Sequence, residues 1–343
     1  MRTAVFSARP YDKRSLTAAN EAAGSPHELD FFEAAVGPTA GPRLSPRTVG
    51  LAEGHTAACA FTNDDLGRDT LTGLADLGCT TIALRCAGFN NLDLKAAREL
   101  GFKIARVPAY SPHAVAEHTV ALLLAVNRKI HRAHARVREQ NFALEGLLGF
   151  DLFQKTVTIV GTGAIGSALA RIMLGFGCTV LAVDPVESDE LKSLGVTYLP
   201  LMEALPQTRI VCLCCPLNEH TFHLMNEHSL GVMPKGAVLV NTARGGVVDT
   251  PALINALKRE HLGAVALDVY EEEENLFFED RSASILTDDV FARLLTFSNV
   301  LITSHQAFFT EEALHAIAST TVENLRAIGY DGTIPDANVI PGL

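Results

Sequence analysis

Short apolar runs alternate with longer amphipathic stretches along most of the chain, and this alternation predicts strands separated by helices. In the first 108 residues the predicted strands lie within 3–7, 55–63, 81–86 and 102–108. Further along they lie within 157–160, 179–183, 208–217, 236–245, 263–270 and 299–305. Repeated strand–helix units favour parallel sheets covered by helices on both faces. The pattern therefore predicts an α/β fold.

The helical stretches predict how the chain divides into domains. They lie at 93–100, 112–139, 164–176, 222–233, 250–260 and 310–329. We expect the chain to enter a second unit near residue 109 and to return near residue 303. This predicts a discontinuous substrate domain (residues 1–108 and 303–343) and an inserted nucleotide-binding domain (residues 109–302). Both are expected to be Rossmann-like or flavodoxin-like, with a cleft between them.

Composition and charge exclude several classes of protein. Of 343 residues, 48% are hydrophobic and 20% are charged, which is ordinary for a globular protein. The net charge of −11, without a basic cluster, argues against nucleic-acid or anionic-membrane binding. The N-terminus lacks the apolar core of a signal peptide. The apolar stretch 156–183 is interrupted by glycines and Arg171, so no membrane span is predicted and a cytoplasmic location is expected.

Two groups of residues could suggest a metal site, but neither forms a complete set of metal ligands. Cys212, Cys214 and Cys215 alternate too tightly along an apolar run, so they are expected to be small buried hydrophobes. His131 and His134 are spaced i, i+3, but no carboxylate or cysteine accompanies them. A solvated helix face is the better interpretation, and no metal is predicted.

The stretch with the most specific pattern is a glycine-rich turn between a strand and a helix. Gly161, Gly163 and Gly166 follow the run 157–160 and open the helix 164–176. The first glycine permits a tight turn, the second lets backbone approach a pyrophosphate, and the third lets the helix pack on the strand. The helix N-terminus then faces the phosphates. The alternative is a glycine-rich turn that binds nothing.

An acidic residue at the end of the next strand supports the same interpretation. Asp184 follows the run 179–183, where a carboxylate can accept hydrogen bonds from an adenosine ribose. A 2′-phosphate would be repelled there, and Pro185 and Val186 offer no cation. The predicted cofactor is therefore NAD rather than NADP.

Three polar positions stand just beyond predicted strands of the same unit. They are Arg244, the glutamate run 271–274 and His305. Ligands of open α/β sheets bind outside the carboxyl ends of the strands. Arginine can clamp a carboxylate, histidine can exchange a proton with a carbonyl or alcohol oxygen, and a glutamate beside it would favour the protonated ring. Together with the cofactor, this set predicts hydride transfer to a 2-keto acid.

Each of these positions also has a plain structural interpretation. Arg244 could form a surface ion pair, the glutamates could be a solvated face, and His305 could cap the following helix. Ala87 and Gly88 form a corner whose N–H groups suit a carboxylate, but an ordinary turn explains that corner equally well.

Five motifs in order resemble the D-isomer-specific 2-hydroxyacid dehydrogenase family, and its fermentative D-lactate dehydrogenase branch in particular. They are VPAYSPHAVAEHTVAL, VGTGAIG, NTARGGVVD, ALDVYEEEENLFFED and TSHQAFFTEEAL. The resemblance covers most of the chain and is weakest in the first 50 residues. It implies Arg244 as the substrate clamp and His305 as the acid/base. The residues leave the orienting acid open within 271–274, and the branch's D-x-Y-E-x-E pattern places it at Glu273.

The resemblance also implies contacts around the substrate and the cofactor. Its substrate residues are Ala87 and Gly88, through their backbone amides, with Tyr110 and Phe308 lining the pocket. Its cofactor residues, besides the three glycines, are Ala164, Ile165, Asp184, Cys215, Pro216, Thr221, Thr242, Ala243 and Asp268. Cys86 lies within the substrate loop, and the sequence leaves its role open.

The expected reaction is the NADH-dependent reduction of pyruvate to D-lactate. Two alternatives remain: the same chemistry on bulkier acids such as 2-ketoisocaproate or phenylpyruvate, and an NAD-sensing binding protein of corepressor type. No basic arm or disordered extension favours the latter. The resemblance also implies a homodimer or homotetramer, with the 112–139 region as the candidate interface.

Overall fold

The first of two sheets contains five parallel strands. A computed structural model describes residues 1–32, 42–273, 276–278 and 280–343, with the side chain of Asp331 left aside. Within it, the strand order is β2-β1-β3-β4-β5. The strands are β1 (Arg2–Val5), β2 (Glu28–Phe31), β3 (Ala57–Ala60), β4 (Thr81–Leu84) and β5 (Lys103–Ala105). All pair in parallel, so the connections between them must cross the faces of the sheet.

Among the described residues, four α-helices accompany this sheet. They are α1 (Pro10–Ala22), α2 (Arg68–Asp76), α3 (Leu94–Glu99) and α12 (Glu311–Arg326), the last being numbered by its place in the chain. Leu16 and Ala19 of α1 form one buried cluster with Ala318 and Val322 of α12. The C-terminal helix therefore completes the core of a unit built mainly from the first third of the chain.

The second sheet has seven parallel strands in the order β12-β11-β10-β9-β6-β7-β8. They are β6 (Thr156–Val160), β7 (Thr179–Val183), β8 (Thr197–Tyr198), β9 (Ile210–Leu213), β10 (Ala237–Asn241), β11 (Leu262–Leu267) and β12 (Val300–Ile302). The order reverses between β6 and β9, which is the position where open α/β sheets bind ligands.

Alternate residues of the central strands enter two separate cores. Val238 and Val240 of β10 belong to one buried cluster, and Leu239 of the same strand belongs to another. Successive side chains of a strand point to opposite faces, so both faces of this sheet are covered. The helices in this part of the chain are α4 (Pro112–Asn127), α5 (Ile130–Arg138), α6 (Ala164–Gly175), α7 (Asp189–Ser193), α8 (Leu201–Ala204), α9 (Glu227–Val232), α10 (Thr250–Lys258) and α11 (Asp289–Leu295). The predicted α/β class with parallel sheets is confirmed.

The chain divides into two compact units with slightly shifted boundaries. The first unit comprises Met1–Ser111 and Phe309–Leu343, and the second comprises Pro112–Phe308. The sequence predicts the boundaries at 108/109 and 302/303. The second crossing falls later because residues after β12 bond to the end of β11: Thr303 N donates to Leu267 O (2.9 Å) and His305 N to Asp268 O (2.7 Å). The predicted assignment of residues 303–308 to the first unit is thus corrected.

Two predicted helices differ from those observed. The single helix expected over 112–139 is two helices, α4 and α5, separated at Lys129, which has a φ of 50°. The helix expected over 222–233 begins only at Glu227, because Asn226 caps it and accepts from the amides of His228 and Ser229. No helix among residues 1–32, 42–273, 276–278 and 280–343 is long and apolar enough to cross a membrane.

Candidate active site

The glycine turn is built for close backbone approach. Gly161, directly after β6, has a φ of 92°, and a Cβ there would lie 2.6 Å from the amide nitrogen of Cys215. A Cβ at Gly166 would overlap the carbonyl oxygen of Gly161. Gly163 precedes α6, whose first residues are Ala164 and Ile165, and a Cβ there would meet nothing within 4 Å. The space beside Gly163 and the helix N-terminus suit a phosphate group.

A cavity of about 730 Å³ lies at the point where the strand order reverses. Five of the predicted cofactor residues line it: Gly161, Asp184, Cys215, Pro216 and Thr221. Tyr198, Asn218 and Leu224 also line it and were not anticipated. Among the described residues around the cavity none is a lysine or an arginine, whereas Asp184 and Glu187 are both acidic. Such a lining accepts hydroxyl groups and disfavours an additional phosphate.

Hydrogen bonds hold Asp184 at the edge of this cavity. Its two carboxylate oxygens accept from the amides of Thr162 (2.6 Å) and Val186 (2.8 Å). A carboxylate offers about four acceptor sites, so further donors can be accommodated. The Tyr198 hydroxyl donates to the Thr162 hydroxyl (3.0 Å), which ties β8 to the glycine turn. The sequence does not indicate Tyr198, because a strand of two residues leaves no periodic signal.

The cysteines near the cavity are neutral thiols. Burial raises the pKa of Cys215 to about 11 and that of Cys214 to about 12. They act as small apolar groups, as the sequence indicates. No cluster of three or more His, Cys, Asp or Glu side chains suited to a metal ion occurs in the described part of the chain.

Arg244 and its neighbours follow β10. Arg244 is half-buried, and its Nη1 donates to the carbonyl oxygen of Ala243 (2.7 Å). A Cβ at Gly245 would overlap the backbone of Tyr270 and Glu271, so the turn after β10 lies directly against the segment after β11. Thr242 is buried, and its hydroxyl lies 2.7 Å from that of Thr119.

The segment after β11 meets the segment after β12 in a carboxylate–imidazole pair. Glu273 Oε1 lies 2.6 Å from His305 Nδ1, and only 18% and 16% of the two side chains is exposed. Glu273 Oε2 accepts from the amide of Tyr270 (2.9 Å). The ring of Phe278 lies 5.6 Å from the imidazole, centroid to centroid. The Glu273 carboxylate is therefore held by a backbone amide, and the His305 imidazole is held by that carboxylate.

The structure distinguishes the glutamates that the sequence left open. Glu271 contacts His223 Nε2 (2.5 Å) and accepts from the Thr250 hydroxyl (2.9 Å). Among the glutamates 271–273, which the structure describes, only Glu273 contacts His305. Glu274 lies outside the described residues.

His305 has an unusual backbone conformation, which Asp268 supports. Its φ of 53° lies in the left-handed region, where residues other than glycine are uncommon. The Asp268 side chain is fully buried and accepts from the amides of Gln306 and Ala307, both at 2.9 Å, and from the Thr303 hydroxyl at 2.5 Å. His305 does not cap the next helix, because Thr310 accepts from the amide of Ala313 and fills that role.

The electrostatics of Asp268 follow from these contacts. Burial acts to raise its pKa, but the hydrogen bonds from His118, Thr303 and the two amides outweigh burial and lower the pKa below its ordinary value. His118 Nε2 lies 3.4 Å from the carboxylate. The sequence missed this cluster because its members are far apart in the chain.

The remaining predicted substrate residues belong to other segments. Ala87 and Gly88 follow β4 and Tyr110 follows β5, all in the first unit, whereas Phe308 is the last residue of the second. Within the second unit, the structure brings Arg244, Glu273 and His305 to the ends of three adjacent strands, β10, β11 and β12.

A cavity beside a glycine turn and a histidine–carboxylate pair on neighbouring strands define an NAD-dependent dehydrogenase. The family model for the D-isomer specific 2-hydroxyacid dehydrogenase NAD binding domain matches residues 120–307, more than half of the chain. The chain belongs to the D-isomer specific 2-hydroxyacid dehydrogenase family, and NAD is its cofactor.

Similar proteins agree with this assignment over nearly their whole length. The chain is 52% identical to 2-hydroxyacid dehydrogenase A of Aspergillus oryzae, over 95% of this chain and 91% of that protein. The apo structure of D-lactate dehydrogenase from Escherichia coli matches with a TM-score of 0.87 and 44% identity, covering 99% and 100% of the two chains. The pyruvate reductase of Chlamydomonas reinhardtii matches with a TM-score of 0.88 and 40% identity, covering 96% and 97%.

Proposed function

We propose that this dehydrogenase reduces pyruvate to D-lactate with NADH. The observation that carries the proposal is the 2.6 Å contact between His305 and Glu273, in the unit that contains the cofactor cavity. Two similar solved proteins, named for D-lactate and for pyruvate, support the choice of substrate. The competing choice is a bulkier 2-keto acid such as 2-ketoisocaproate or phenylpyruvate.

The bound cofactor supplies the hydride, and residues of the chain bind the substrate and move the proton. His305, protonated at both ring nitrogens, donates the Nε2 proton to the carbonyl oxygen of the substrate. Glu273 holds Nδ1–H, which orients the ring and stabilises its positive form. The observed contact thus leaves Nε2 as the donating atom.

Arg244 is assigned to the substrate carboxylate. Among bonds between described residues, its contact with Ala243 uses one of the five N–H donors of the guanidinium. A planar fork of the remaining donors fits a carboxylate and stabilises charge on the neighbouring oxygen, an effect worth about 3 kcal/mol in the transition state. Backbone amides of Ala87 and Gly88 are assigned to the same carboxylate, and Tyr110 and Phe308 to the substrate side chain.

The cofactor contacts are assigned to two groups of residues. Asp184 accepts from the adenosine ribose, and the turn from Gly161 to Gly166 holds the pyrophosphate. The other cofactor residues that we assign are Ala164, Ile165, Cys215, Pro216, Thr221, Thr242, Ala243 and Asp268. For Asp268 the observed bonds to residues 303–307 support a role in positioning the segment that carries His305.

The substrate assignment is tested by following NADH loss with pyruvate and a series of larger 2-keto acids. Each added methylene changes the free energy of binding by only about 1–3 kcal/mol, so relative kcat/KM values separate the two choices. We expect pyruvate to give the highest kcat/KM and D-lactate to be the sole product with stereospecific coupling enzymes. Faster turnover of the larger acids would contradict the substrate, and an L product would contradict the stereochemistry.

We also propose that the chain forms a homodimer or homotetramer through the region around 112–139. Most apolar side chains of α4 lie in the unit's own core, so the predicted interface on this helix is moved towards α5. Ile130 and Val137 of α5 are more than half exposed, and Phe142, Leu144 and Leu148 beyond it are 73%, 78% and 88% exposed. Exposed apolar side chains at this density favour an interface between copies of the chain.

A further inference from the structure

The loop after β4 has three consecutive carbonyl groups that each accept a hydrogen bond. The carbonyl of Cys86 accepts from the amide of Val107 (3.2 Å). That of Ala87 accepts from Nη1 of Arg106 (2.9 Å), and that of Gly88 accepts from the Cys86 thiol (3.2 Å). Among the hydrogen bonds of the described residues, none uses the amide nitrogen of Ala87 or Gly88 as donor.

Because peptides are planar, these three hydrogen bonds also fix the directions of the N–H groups that follow the three carbonyls. In a trans peptide the C=O bond and the following N–H bond point in opposite directions. A donor that fixes the carbonyl of Cys86, Ala87 or Gly88 therefore turns the next N–H away from that donor. Successive backbone N–H groups presented in this way form an anion-binding concavity.

Besides fixing the direction of the Ala87 carbonyl, Arg106 polarises the peptide to which that carbonyl belongs. A cation bound to a peptide oxygen polarises the peptide, which makes the N–H on its other side a stronger donor. In the peptide between Ala87 and Gly88 that N–H belongs to Gly88. The guanidinium also lies 5.4 Å from the centre of the Phe89 ring, which packs it against the same loop.

The backbone of Arg106 is held firmly within the first unit. Its amide donates to the carbonyl of Asn338 (2.9 Å), and its carbonyl accepts from the Asn324 side chain (2.9 Å). Its Nε is buried and has no hydrogen-bond partner among the described residues. A buried donor without a partner costs free energy, which offsets part of the stability that the Nη1 bond and the ring contact contribute.

We propose that Arg106 is a positioning residue for the substrate carboxylate, acting through the peptide between Ala87 and Gly88. This inference rests on the proposed function, in which that loop binds the carboxylate of a 2-keto acid. Cys86 assists by holding the next carbonyl, which gives its side chain a role in the loop. Arg106 itself touches neither substrate nor cofactor in this arrangement.

The first test replaces Arg106 with methionine, which keeps an unbranched apolar stem and removes the donor. We expect KM for pyruvate to rise roughly tenfold, the loss typical of a hydrogen bond to a charged group. We expect kcat to change less than about twofold, because the carboxylate is held equally in the ground and transition states. Arg106→Lys, which keeps a cationic donor, is expected to recover part of the loss.

Arg136→Met is the matched control. Arg136, on α5 of the other unit, makes the same kind of bond, from Nη1 to the carbonyl of the exposed residue Glu145 (2.8 Å). It is expected to leave KM for pyruvate unchanged. The proposal is overturned if Arg106→Met leaves this KM within about twofold of wild type, or if KM for NADH rises as much as KM for pyruvate.

A second pair of variants covers the case in which Arg106→Met does not fold. Cys86→Ala removes a weak donor and is expected to raise KM for pyruvate about threefold, whereas Cys86→Ser restores a donor and the lower KM. Equal KM values for the alanine and serine variants would contradict the loop arrangement.

Failure of the proposal can be separated from failure of the proposed function. If wild type reduces no 2-keto acid, the proposed function is wrong. Calorimetric binding of oxamate, a pyruvate isostere with the same carboxylate, to the NADH complex needs no turnover. Binding that is about tenfold weaker in Arg106→Met supports the positioning role. Unchanged affinity, or no binding to wild type, overturns it.

Discussion

Glu271 and Glu273 show how identical side chains two positions apart acquire different surroundings. Glu273 contacts His305, whereas Glu271 contacts His223 and the Thr250 hydroxyl. His223 lies in the chain between Thr221 and Leu224, which both line the cavity. In the proposed mechanism the first pair orients the acid/base group, whereas the second ties the segment beside the cavity to the start of the glutamate run.

A charge change at Asp184 tests the preference for NADH. Asp184→Asn keeps one oxygen acceptor for the turn but removes the negative charge at the cavity edge. We expect the ratio of kcat/KM for NADH to that for NADPH to fall at least about tenfold, since hydrogen bonds to charged groups are worth about 1.5–3 kcal/mol.

Glu187→Gln is a suitable control for this prediction. Glu187 lines the same cavity, but its carboxylate lies 2.5 Å from Lys192 Nζ. If its substitution changed the cofactor ratio as much as Asp184→Asn does, the discrimination would come from overall charge rather than from Asp184.

For single residues, the sequence predicts which side chains a site needs better than it predicts which residues those side chains contact. Gly161, Gly166 and Asp184 carry local signals, because the turn and the strand end that require them are adjacent in the chain. The hydroxyl of Tyr198 and the contact of Glu271 with His223 depend on pairing between distant segments. Composition and periodicity hold no information on such pairings.

The segment after β12 is held in place by the side chain of Asp268, which follows the neighbouring strand β11. Asp268, at the end of β11, accepts from Thr303, Gln306 and Ala307. The backbone carbonyl of Asp268 also accepts from the amide of His305, so Asp268 holds the chain at and on both sides of this left-handed residue. The sheet thereby positions the segment that carries His305 through a buried carboxylate.

Removing the charge of Asp268 should destabilise the fold in a pH-dependent way. Because hydrogen bonding lowers its pKa in the folded state, it stabilises the protein above the ordinary value of 3.8. That stabilisation disappears as the pH falls through 3.8 towards the lower folded pKa. For Asp268→Asn we expect a loss of about 2 kcal/mol at pH 7, or roughly 3 °C in Tm.

Thermal unfolding from pH 7 to pH 3 measures this effect. The difference in Tm between wild type and Asp268→Asn should shrink as the pH falls. Asp189→Asn, at a side chain that is 100% exposed, should follow wild type throughout. A difference that stayed constant or grew towards pH 3 would contradict the lowered pKa.

The local sequence pattern is not sufficient to predict where every helix begins and ends. The region 112–139 contains neither glycine nor proline after Pro112, so nothing in the sequence predicts the break at Lys129. The break follows Asn127, whose side chain bonds to both the amide and the carbonyl of Phe150. By contrast, the late start of α9 carries a local signal, the capping pair Asn226 and Ser229.

For the whole molecule, the apolar side chains around α5 predict self-association. Leu148→Lys places a charge at a side chain that is 88% exposed, so it should not disturb the fold of the unit. We expect wild type to sediment as a dimer or tetramer and Leu148→Lys to shift towards the mass of one chain. Ile285→Lys, at an equally exposed position, is the control. A wild type that sediments as a single chain would contradict the prediction.

The fold class follows from the sequence because each βα repeat carries its own pattern, and both parallel sheets are present. The return of the chain to the first unit is harder to place. Residues 303–308 follow a strand and precede a helix, and only their bonds to Leu267 and Asp268 assign them to the second unit. The strand–helix pattern consequently predicts the crossing six positions early, at 302/303 instead of 308/309.

The most direct test of the catalytic assignment is turnover by His305→Asn. Asparagine tolerates the left-handed backbone at this position and cannot act as the acid. We expect kcat for pyruvate reduction to fall about 10²–10⁴-fold, while NADH binding, followed by its fluorescence, stays within about twofold of wild type. Glu273→Gln should lower kcat by a smaller factor. Turnover by His305→Asn within about twofold of wild type would contradict the assignment of His305 as the proton donor.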